Sequence, residues 1–175
     1  LHTQKEFIDD YAKCASLALE AGAPVIEINL SCPNLHSGSV LCYDVQLSAQ
    51  ICKAVKNAIG DTPLIIKIGY YQDEKVLRNL IVETNKYIDG IAAINTVKGD
   101  IDDLQLKKPW MRSLTSSGVC GNYIKPYGID MVSRLFKIRN EWKMNYAILG
   151  IGGVITASDY EDYIVAGADV VQSGT

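Results

Sequence analysis

The chain has 175 residues, of which 48% are hydrophobic and 21% charged, and its net charge is −3. This length and composition are typical of one globular domain with a buried core. The slightly acidic balance, without a basic stripe, argues against a nucleic-acid-binding protein. No apolar run approaches the roughly 20 residues that a membrane span requires. Residues 1–22 have the pattern of an amphipathic helix, so we expect no signal peptide there.

Helices and strands are predicted to alternate along the chain, which indicates an α/β protein with a parallel sheet. Helical periodicity predicts five helices, over residues 4–21, 45–59, 73–87, 127–142 and 157–166. Nearly continuous apolar runs predict strands covered on both faces, over residues 24–30, 63–69, 90–95, 146–151 and 168–173. Thr156 or Ser158 is the expected N-cap of the last helix, and Gly60 and Gly167 are expected to end helices.

Residues 1–175 are predicted to form a single domain, a partial barrel. The connection over residues 97–125 is too long for a plain turn, and we predict that it is an active-site or insert loop. A (β/α)8 barrel of the TIM type needs about 250 residues. The alternation therefore predicts an incomplete (β/α)8 barrel with about five βα units, lacking the first barrel strands and the last helix. A small open doubly wound sheet is the structural alternative.

Residues 27–34 read Glu-Ile-Asn-Leu-Ser-Cys-Pro-Asn and lie where the first strand becomes a loop. Asn29 and Asn34 provide carboxamides that can recognise a small heterocycle, and the Cys32 thiol between them can move a proton. Most buried cysteines are inert small hydrophobes. Cys32 differs because it lies among polar residues in a strand-exit loop, which favours a catalytic role.

Two further strand positions are unusual. Lys67 interrupts an apolar strand, and a lysine there needs a counter-charge or an anionic ligand. It could instead extend to water, or pair with Glu27. Asn95 and Thr96 end the next strand, where an Asx turn is the simpler interpretation and a third amide around one ligand is the alternative.

Glycines follow the last two predicted strands, at Gly150-Ile151-Gly152-Gly153 and at Ser173-Gly174-Thr175. Such glycines let backbone N–H groups approach an anion, and barrels often bind phosphate at the loops after their last two strands. The two successive segments favour a phosphate site, although glycines also simply permit tight turns.

The five cysteines are Cys14, Cys32, Cys42, Cys52 and Cys120. No two have CxxC spacing, and only His2 and His36 could add soft ligands, so we expect no metal site. Cys14 and Cys52 fall at apolar helical positions and are expected to be buried. Reduced thiols in a cytoplasmic protein are the simplest interpretation.

Together these motifs resemble the dihydroorotate dehydrogenase family, FMN enzymes on a (β/α)8 barrel that oxidise dihydroorotate to orotate in pyrimidine biosynthesis. The resemblance runs from the strand before Asn29 to Thr175. Its densest segments are residues 29–34, the strand with Lys67, and residues 94–96, 123–126, 150–153 and 166–175.

The resemblance implies a role for each matching residue. Cys32 would be the base that removes the C5 proton of dihydroorotate while hydride leaves C6 for FMN. Asn29, Asn34, Asn95 and Thr96 match substrate-binding residues. A cation at Lys67 would stabilise negative charge on the reduced flavin. The residues that match the FMN site are Asn29, Lys67, Ile94, Gly121, Gly152, Gly153, Gly174 and Thr175.

The cysteine base is typical of the soluble branches of the family, which implies a cytoplasmic enzyme for a small-molecule substrate, with no nucleic acid or membrane as partner. A homodimer is expected by analogy, and a partner electron-transfer subunit is compatible with it. The electron acceptor stays open between fumarate, NAD through a partner, and a quinone. Residues 95–99 favour the NAD-linked branch, whereas residues 41–44 favour the fumarate-linked branch.

The chain also departs from the family pattern. Ser117 replaces the first glycine of a Gly-Gly-x-x-Gly segment that ends at Gly121, and residues 35–39 replace the usual Pro/Gly loop. A lysine and an Asn-bearing loop from the first barrel strands have no counterpart. Two alternatives therefore remain: a dihydropyrimidine dehydrogenase-like flavin module, and a non-catalytic truncated barrel that binds phosphate.

Overall fold

The computed structural model describes residues 3–31, 40–100 and 116–174, which form five α-helices, two short 3-10 helices (Leu41–Tyr43 and Gly121–Ile124) and seven strands. The helices are α1 (Gln4–Glu20), α2 (Val45–Ile59), α3 (Glu74–Thr84), α4 (Lys125–Trp142) and α5 (Ala157–Ala166). The strands are β1 (Ile26–Asn29), β2 (Leu64–Ile68), β3 (Gly90–Ala93), β4 (Val97–Asp100), β5 (Ser116–Val119), β6 (Ala147–Ile151) and β7 (Val170–Gln172). Each of the five predicted helices and five predicted strands is therefore present.

The main sheet is parallel, and its strands follow one another in the order β1-β2-β3-β6-β7, which is the order of the chain. A doubly wound sheet would reverse its strand order at a switch point. No reversal occurs among the described strands, so the alternative of a doubly wound sheet is wrong. The fold is of the (β/α)8 barrel type, represented by five of its βα units.

The sheet is strongly curved. Four inter-strand spacings of about 4.8 Å would put the edge strands of a flat sheet roughly 19 Å apart. Yet Nε2 of Gln172, on β7, donates a hydrogen bond of 2.8 Å to Oε2 of Glu27, on β1. This contact requires the two edge strands to lie much closer than that. The sheet must therefore bend towards the face that carries both side chains. We call this face the concave face.

The helices pack against the opposite, convex face. In β1 and β2 the buried residues alternate with more exposed ones, so Ile26, Ile28, Leu64, Ile66 and Ile68 turn towards the helices. α1 packs against α2, α2 against α3, and α4 against α5. This apolar layer is the core of the molecule, and it fixes the strands whose ends carry the polar motifs.

Two details of the helices differ from prediction. α4 begins at Lys125, earlier than expected, because Pro126 lies in its first turn, where its missing N–H has no helical partner to lose. Cys14 was expected to be buried and is exposed, whereas Cys42 and Cys52 are buried. The prediction for Cys14 was wrong because the inward stripe of α1 passes through its neighbour Ala15, the buried residue of this helix.

The long connection contains a hairpin that the sequence did not predict. β4 and β5 pair antiparallel, with Val97 opposite Val119. Their sequences, Val-Lys-Gly-Asp and Ser-Ser-Gly-Val, are short and poor in residues that favour strands, which explains the omission. Residues 101–115 lie outside the described residues, so the role proposed for residues 97–125 stays a prediction.

Candidate active site

The polar side chains at the carboxyl ends of β1 and β3 meet above β2. Nδ2 of Asn95 donates a hydrogen bond of 3.1 Å to Oδ1 of Asn29. The same Oδ1 accepts the backbone N–H of Ser31 at 2.9 Å, which is an Asx turn, and Oδ1 of Asn95 accepts the backbone N–H of Thr96 at 2.8 Å. Local turns and a shared amide pair therefore occur together, and the two carboxamides stand at the edge where parallel α/β folds bind ligands.

Helix α1 and strand β2 hold this edge in place. The Tyr11 hydroxyl, on α1, donates 2.8 Å to the backbone carbonyl of Asn29. The Ser31 hydroxyl donates 3.2 Å to the backbone carbonyl of Lys67. These bonds tie the end of β1 to its helix and to its neighbouring strand, so the Asn29 side chain has a rigid base.

Lys67 lies beside Asn29, because these two residues are register partners of β1 and β2. Its ammonium Nζ lies 3.9 Å from Oε1 of Glu27, and its side chain is 26% exposed. The Glu27–Lys67 pair that the sequence left open as an alternative is therefore present. The lysine faces the concave side of the sheet and is neither fully buried nor fully in water.

Ile94 and Thr96 flank Asn95. Ile94 is buried, and its N–H donates to the Ile151 carbonyl at 3.1 Å, which links the end of β3 to β6. Thr96 is exposed and packs beside β5, since a Cβ on Gly118 would lie 2.6 Å from the Thr96 hydroxyl. Thus Ile94 belongs to the buried core, while Thr96 borders the β4–β5 hairpin.

Three of the predicted FMN-binding glycines come together after β6. A Cβ on Gly153 would lie 2.7 Å from the Cβ of Lys125 and 3.0 Å from the Gly121 carbonyl oxygen. Gly121, Gly152 and Gly153 all have positive φ, at 72°, 119° and 67°. Gly152 and Gly153 are needed for close packing and for their backbone conformation, as the simpler interpretation holds.

Gly121 and Gly174 have a different environment. A Cβ on either would meet no other atom within 4 Å among the residues that the structure describes. The Ser173 hydroxyl donates 3.1 Å to the Val154 carbonyl, so the loop after β7 adjoins the loop after β6. Among the described residues, the space beside Gly121 and Gly174 is therefore open, as a phosphate-bearing cofactor would require.

Tyr163, on α5, supports this glycine turn, a role that was not predicted from the sequence. Its hydroxyl lies 2.8 Å from the Gly152 carbonyl and 3.0 Å from the Ile151 carbonyl. A Cβ on Gly128 or on Gly150 would lie 2.0 Å or 2.4 Å from the Tyr163 side chain. Glycines in the interior of a helix and of a strand signal such a close approach, and they could have revealed it.

Cys32, Asn34 and Thr175 lie outside the described residues, so their roles stay predictions. Within the described ranges no cluster of three or more His, Cys, Asp or Glu side chains could hold a metal ion. Nor does any helix there have the length and apolarity to cross a membrane.

Comparison with known proteins identifies relatives of this chain. The family model described as dihydroorotate dehydrogenase matches residues 1–175. A dihydroorotate dehydrogenase of Dictyostelium discoideum is 29% identical over 177 residues, which cover 97% of this chain and 47% of that protein. The catalytic subunit of dihydroorotate dehydrogenase B (NAD(+)) of Listeria monocytogenes is 34% identical over 169 residues, covering 95% of this chain and 53% of that one.

Solved structures show the same fold. A crystal structure of DHODH from Eimeria tenella in complex with ferulenol superimposes with a TM-score of 0.72 at 20% identity, over 99% of this chain and 49% of that one. The chain spans about half the length of the curated relatives it matches. With a family match along its whole length, the chain belongs to the dihydroorotate dehydrogenase family.

Proposed function

We propose that this chain provides the substrate- and flavin-binding half of an FMN-dependent oxidoreductase that converts dihydroorotate to orotate in pyrimidine biosynthesis. The observation that carries the proposal is the Asn29–Asn95 amide pair, joined at 3.1 Å beside Lys67 on the concave edge of the sheet. Family membership and the open space beside Gly121 and Gly174 support it.

The proposed chemistry divides between substrate and cofactor. Asn29, Asn95 and Thr96, with Asn34, would hold the pyrimidine ring by its amide donors and acceptors. Cys32 follows Ser31 directly in the chain and would take the C5 proton of dihydroorotate as the general base. FMN, when bound, would supply the acceptor for the hydride that leaves C6.

The cofactor would lie along the carboxyl ends of the strands. Gly121, Gly152, Gly153 and Gly174, with Thr175, would hold its phosphate end. Asn29, Lys67 and Ile94 would contact the flavin ring, where the lysine cation stabilises negative charge. Gly121, before α4, and Gly174, after β7, border open space among the described residues and fit this assignment.

The proposal also covers the location of the enzyme and its partners. We propose a cytoplasmic enzyme that acts on a small molecule and forms a homodimer. The relative from Listeria monocytogenes is named as the catalytic subunit of an NAD(+)-linked enzyme, which favours a partner electron-transfer subunit.

Flavin binding tests the cofactor site. The fluorescence of FMN should be quenched when FMN binds to the protein as its gene encodes it. Riboflavin, which lacks the phosphate, should bind at least tenfold more weakly. Equal affinity for the two would remove the phosphate role of the glycines. No binding of FMN would contradict the proposal as a whole.

The base is tested by anaerobic reduction of the bound flavin by dihydroorotate. Cys32→Ala should slow this reduction at least a hundredfold while FMN stays bound, because proton removal loses its base. Cys120→Ala, at an exposed cysteine next to Gly121, is the matched control and should reduce at the wild-type rate. An unchanged rate in Cys32→Ala would exclude this thiol as the base.

A further inference from the structure

Glu27 joins three strands on the concave face. Its Oε2 accepts the hydrogen bond of 2.8 Å from Gln172 on β7, and its Oε1 lies 3.9 Å from the Lys67 ammonium on β2. The two carboxylate oxygens therefore contact different partners. Gln172 fixes the orientation of the carboxylate, and the carboxylate then sets the electrostatic environment of Lys67.

The pair leaves the lysine free to bind a ligand. A distance of 3.9 Å is an ion-pair contact that is too long for a direct hydrogen bond. Within the described part of the chain, the Lys67 side chain donates no hydrogen bond and pairs with no other acid. Its register partners across the face are Asn29 and Ala92. All three N–H donors of the Lys67 ammonium group thus stay available for a ligand, while the Glu27 carboxylate balances part of its charge.

Stability does not explain this pair. The side chains of Lys67 and Glu27 are 26% and 29% exposed, so solvent screens their attraction. Pairs of this kind contribute little to folding. Apolar residues facing the same side would stabilise the sheet at least as well. A charged pair at this place is better explained by what it does to a bound molecule.

We propose that Glu27 is a positioning residue that acts through Lys67 and lowers the reduction potential of the bound flavin. This inference rests on the proposed function, which puts Lys67 against the flavin. A flavin gains negative charge when it is reduced, so an unbalanced cation beside it favours the reduced form. Glu27 offsets part of that cation, and Gln172 holds Glu27 where it does so.

The first test is the midpoint potential of bound FMN in the protein as its gene encodes it. Glu27→Gln keeps an oxygen that can accept from Gln172 but removes the charge. It should shift the equilibrium at least tenfold towards the reduced flavin, about 30 mV for a two-electron couple. Lys67→Met should shift it in the opposite direction. Glu74→Gln, which neutralises an ion pair with Arg78 on α3, is the control and should leave the potential unchanged.

The double variant separates positioning from a direct effect. In the Lys67→Met background, Glu27→Gln should change the potential by less than a third of its effect in the wild type, because the group through which it acts is gone. A full effect in that background would overturn the inference. FMN affinity, measured by fluorescence quenching, should fall at least fivefold in Lys67→Met and at most twofold in Glu27→Gln.

The outcomes separate this inference from the proposed function. If Lys67→Met shifts the potential and Glu27→Gln behaves as Glu74→Gln does, the inference alone is wrong. If neither affinity nor potential responds to Lys67→Met, the proposed contact of Lys67 with flavin is wrong as well. Gln172→Leu should reproduce part of the Glu27→Gln shift, and a shift of the opposite sign would contradict the role given to Gln172.

Discussion

Asn29 shows how one side chain serves its local turn and the candidate site together. Its Oδ1 closes the turn to Ser31 and also receives the amide of Asn95, which is 66 residues away in the chain. Its backbone carbonyl is held by Tyr11. A turn-forming asparagine and a ligand-binding asparagine are therefore not competing interpretations, because the turn is what fixes the amide at the edge.

The sequence could predict which residues gather, but not all of their contacts. Asn29, Lys67 and Asn95 end strands of one parallel sheet, and strand order alone brings them to one edge. The bond of Gln172 to Glu27 depends on how far the sheet bends, and the bend depends on packing along its whole length. No local pattern in residues 168–173 carries that information.

Aspartates at the opposite edge of the sheet secure the starts of strands. Asp169 accepts from the Ile148 N–H at 2.8 Å and pairs with Arg139, while Asp89 accepts from the Leu64 N–H at 2.9 Å and pairs with Lys56 at 3.0 Å. In each case the residue before one strand binds the beginning of its neighbour. This edge serves stability, as is usual for the amino-terminal end of a barrel.

We predict that Asp169→Asn lowers the free energy of unfolding by about 1 kcal/mol at pH 7. This value is small because the Asp169 side chain is 44% exposed and solvent screens its pair with Arg139. Burial raises the pKa of this carboxyl, but hydrogen bonds from Arg139 and Ile148 outweigh it and leave the pKa below its ordinary value. The charged form is therefore favoured in the folded state.

This stabilisation is present above the unfolded-state pKa of about 3.9 and is lost as the pH falls through the lower folded-state pKa. The free energies of unfolding of the wild type and Asp169→Asn, measured with urea, should converge as the pH falls below about 4. Asp9→Asn, on the exposed side of α1, should match the wild type at every pH. A difference for Asp169→Asn that persists unchanged at pH 3 would contradict the ionic explanation.

At the scale of elements, α5 and the turn after β6 form one unit. The Tyr163 hydroxyl holds the Gly152 carbonyl, and Gly128 of α4 and Gly150 of β6 leave space for its ring. The sequence predicted both α5 and the glycine turn. It could not predict that one tyrosine connects them, because a tyrosine at an apolar helical position is equally typical of plain core packing.

We predict that Tyr163→Phe costs about 1 kcal/mol in the free energy of unfolding, since the Gly152 carbonyl loses its donor. FMN affinity should fall as well, about threefold or more, because the glycine turn loses its support. Burial raises the pKa of Tyr163 to about 12, so the hydroxyl remains a donor throughout the usual pH range.

Tyr160→Phe, at a half-exposed tyrosine on the same helix, is the matched control and should change neither quantity. Urea titration gives the first value and fluorescence quenching the second. Wild-type stability in Tyr163→Phe would show that its hydroxyl does not support the turn.

At the scale of the whole molecule, the convex face holds the fold together and the concave face carries the polar groups. This division explains why the class of fold could be predicted so completely. Alternating helices and apolar strands specify a parallel sheet with covered strands, and five of each are enough to define it. The β4–β5 hairpin was not predicted because its residues form no apolar pattern.

The cysteines provide a global test of this division. Cys42 and Cys52 are buried, and burial raises the pKa of both thiols, that of Cys52 to about 12. Iodoacetamide at pH 8 should modify exposed Cys14 and Cys120 at least about a hundredfold faster than these two, which react only when the core opens. Peptide mass spectrometry measures each site, and rapid labelling of Cys52 would contradict its burial in a closed core.

The agreement between strand order and chain order has a consequence for biosynthesis. Each strand of the main sheet after β1, on leaving the ribosome, finds its neighbour already made, so the sheet can grow by successive additions during translation. The contact between Glu27 and Gln172 is the exception, because 145 residues separate the two. At about 5–20 residues per second this partner emerges roughly 7–30 s later, so the nascent glutamate stays without it until the fifth strand arrives.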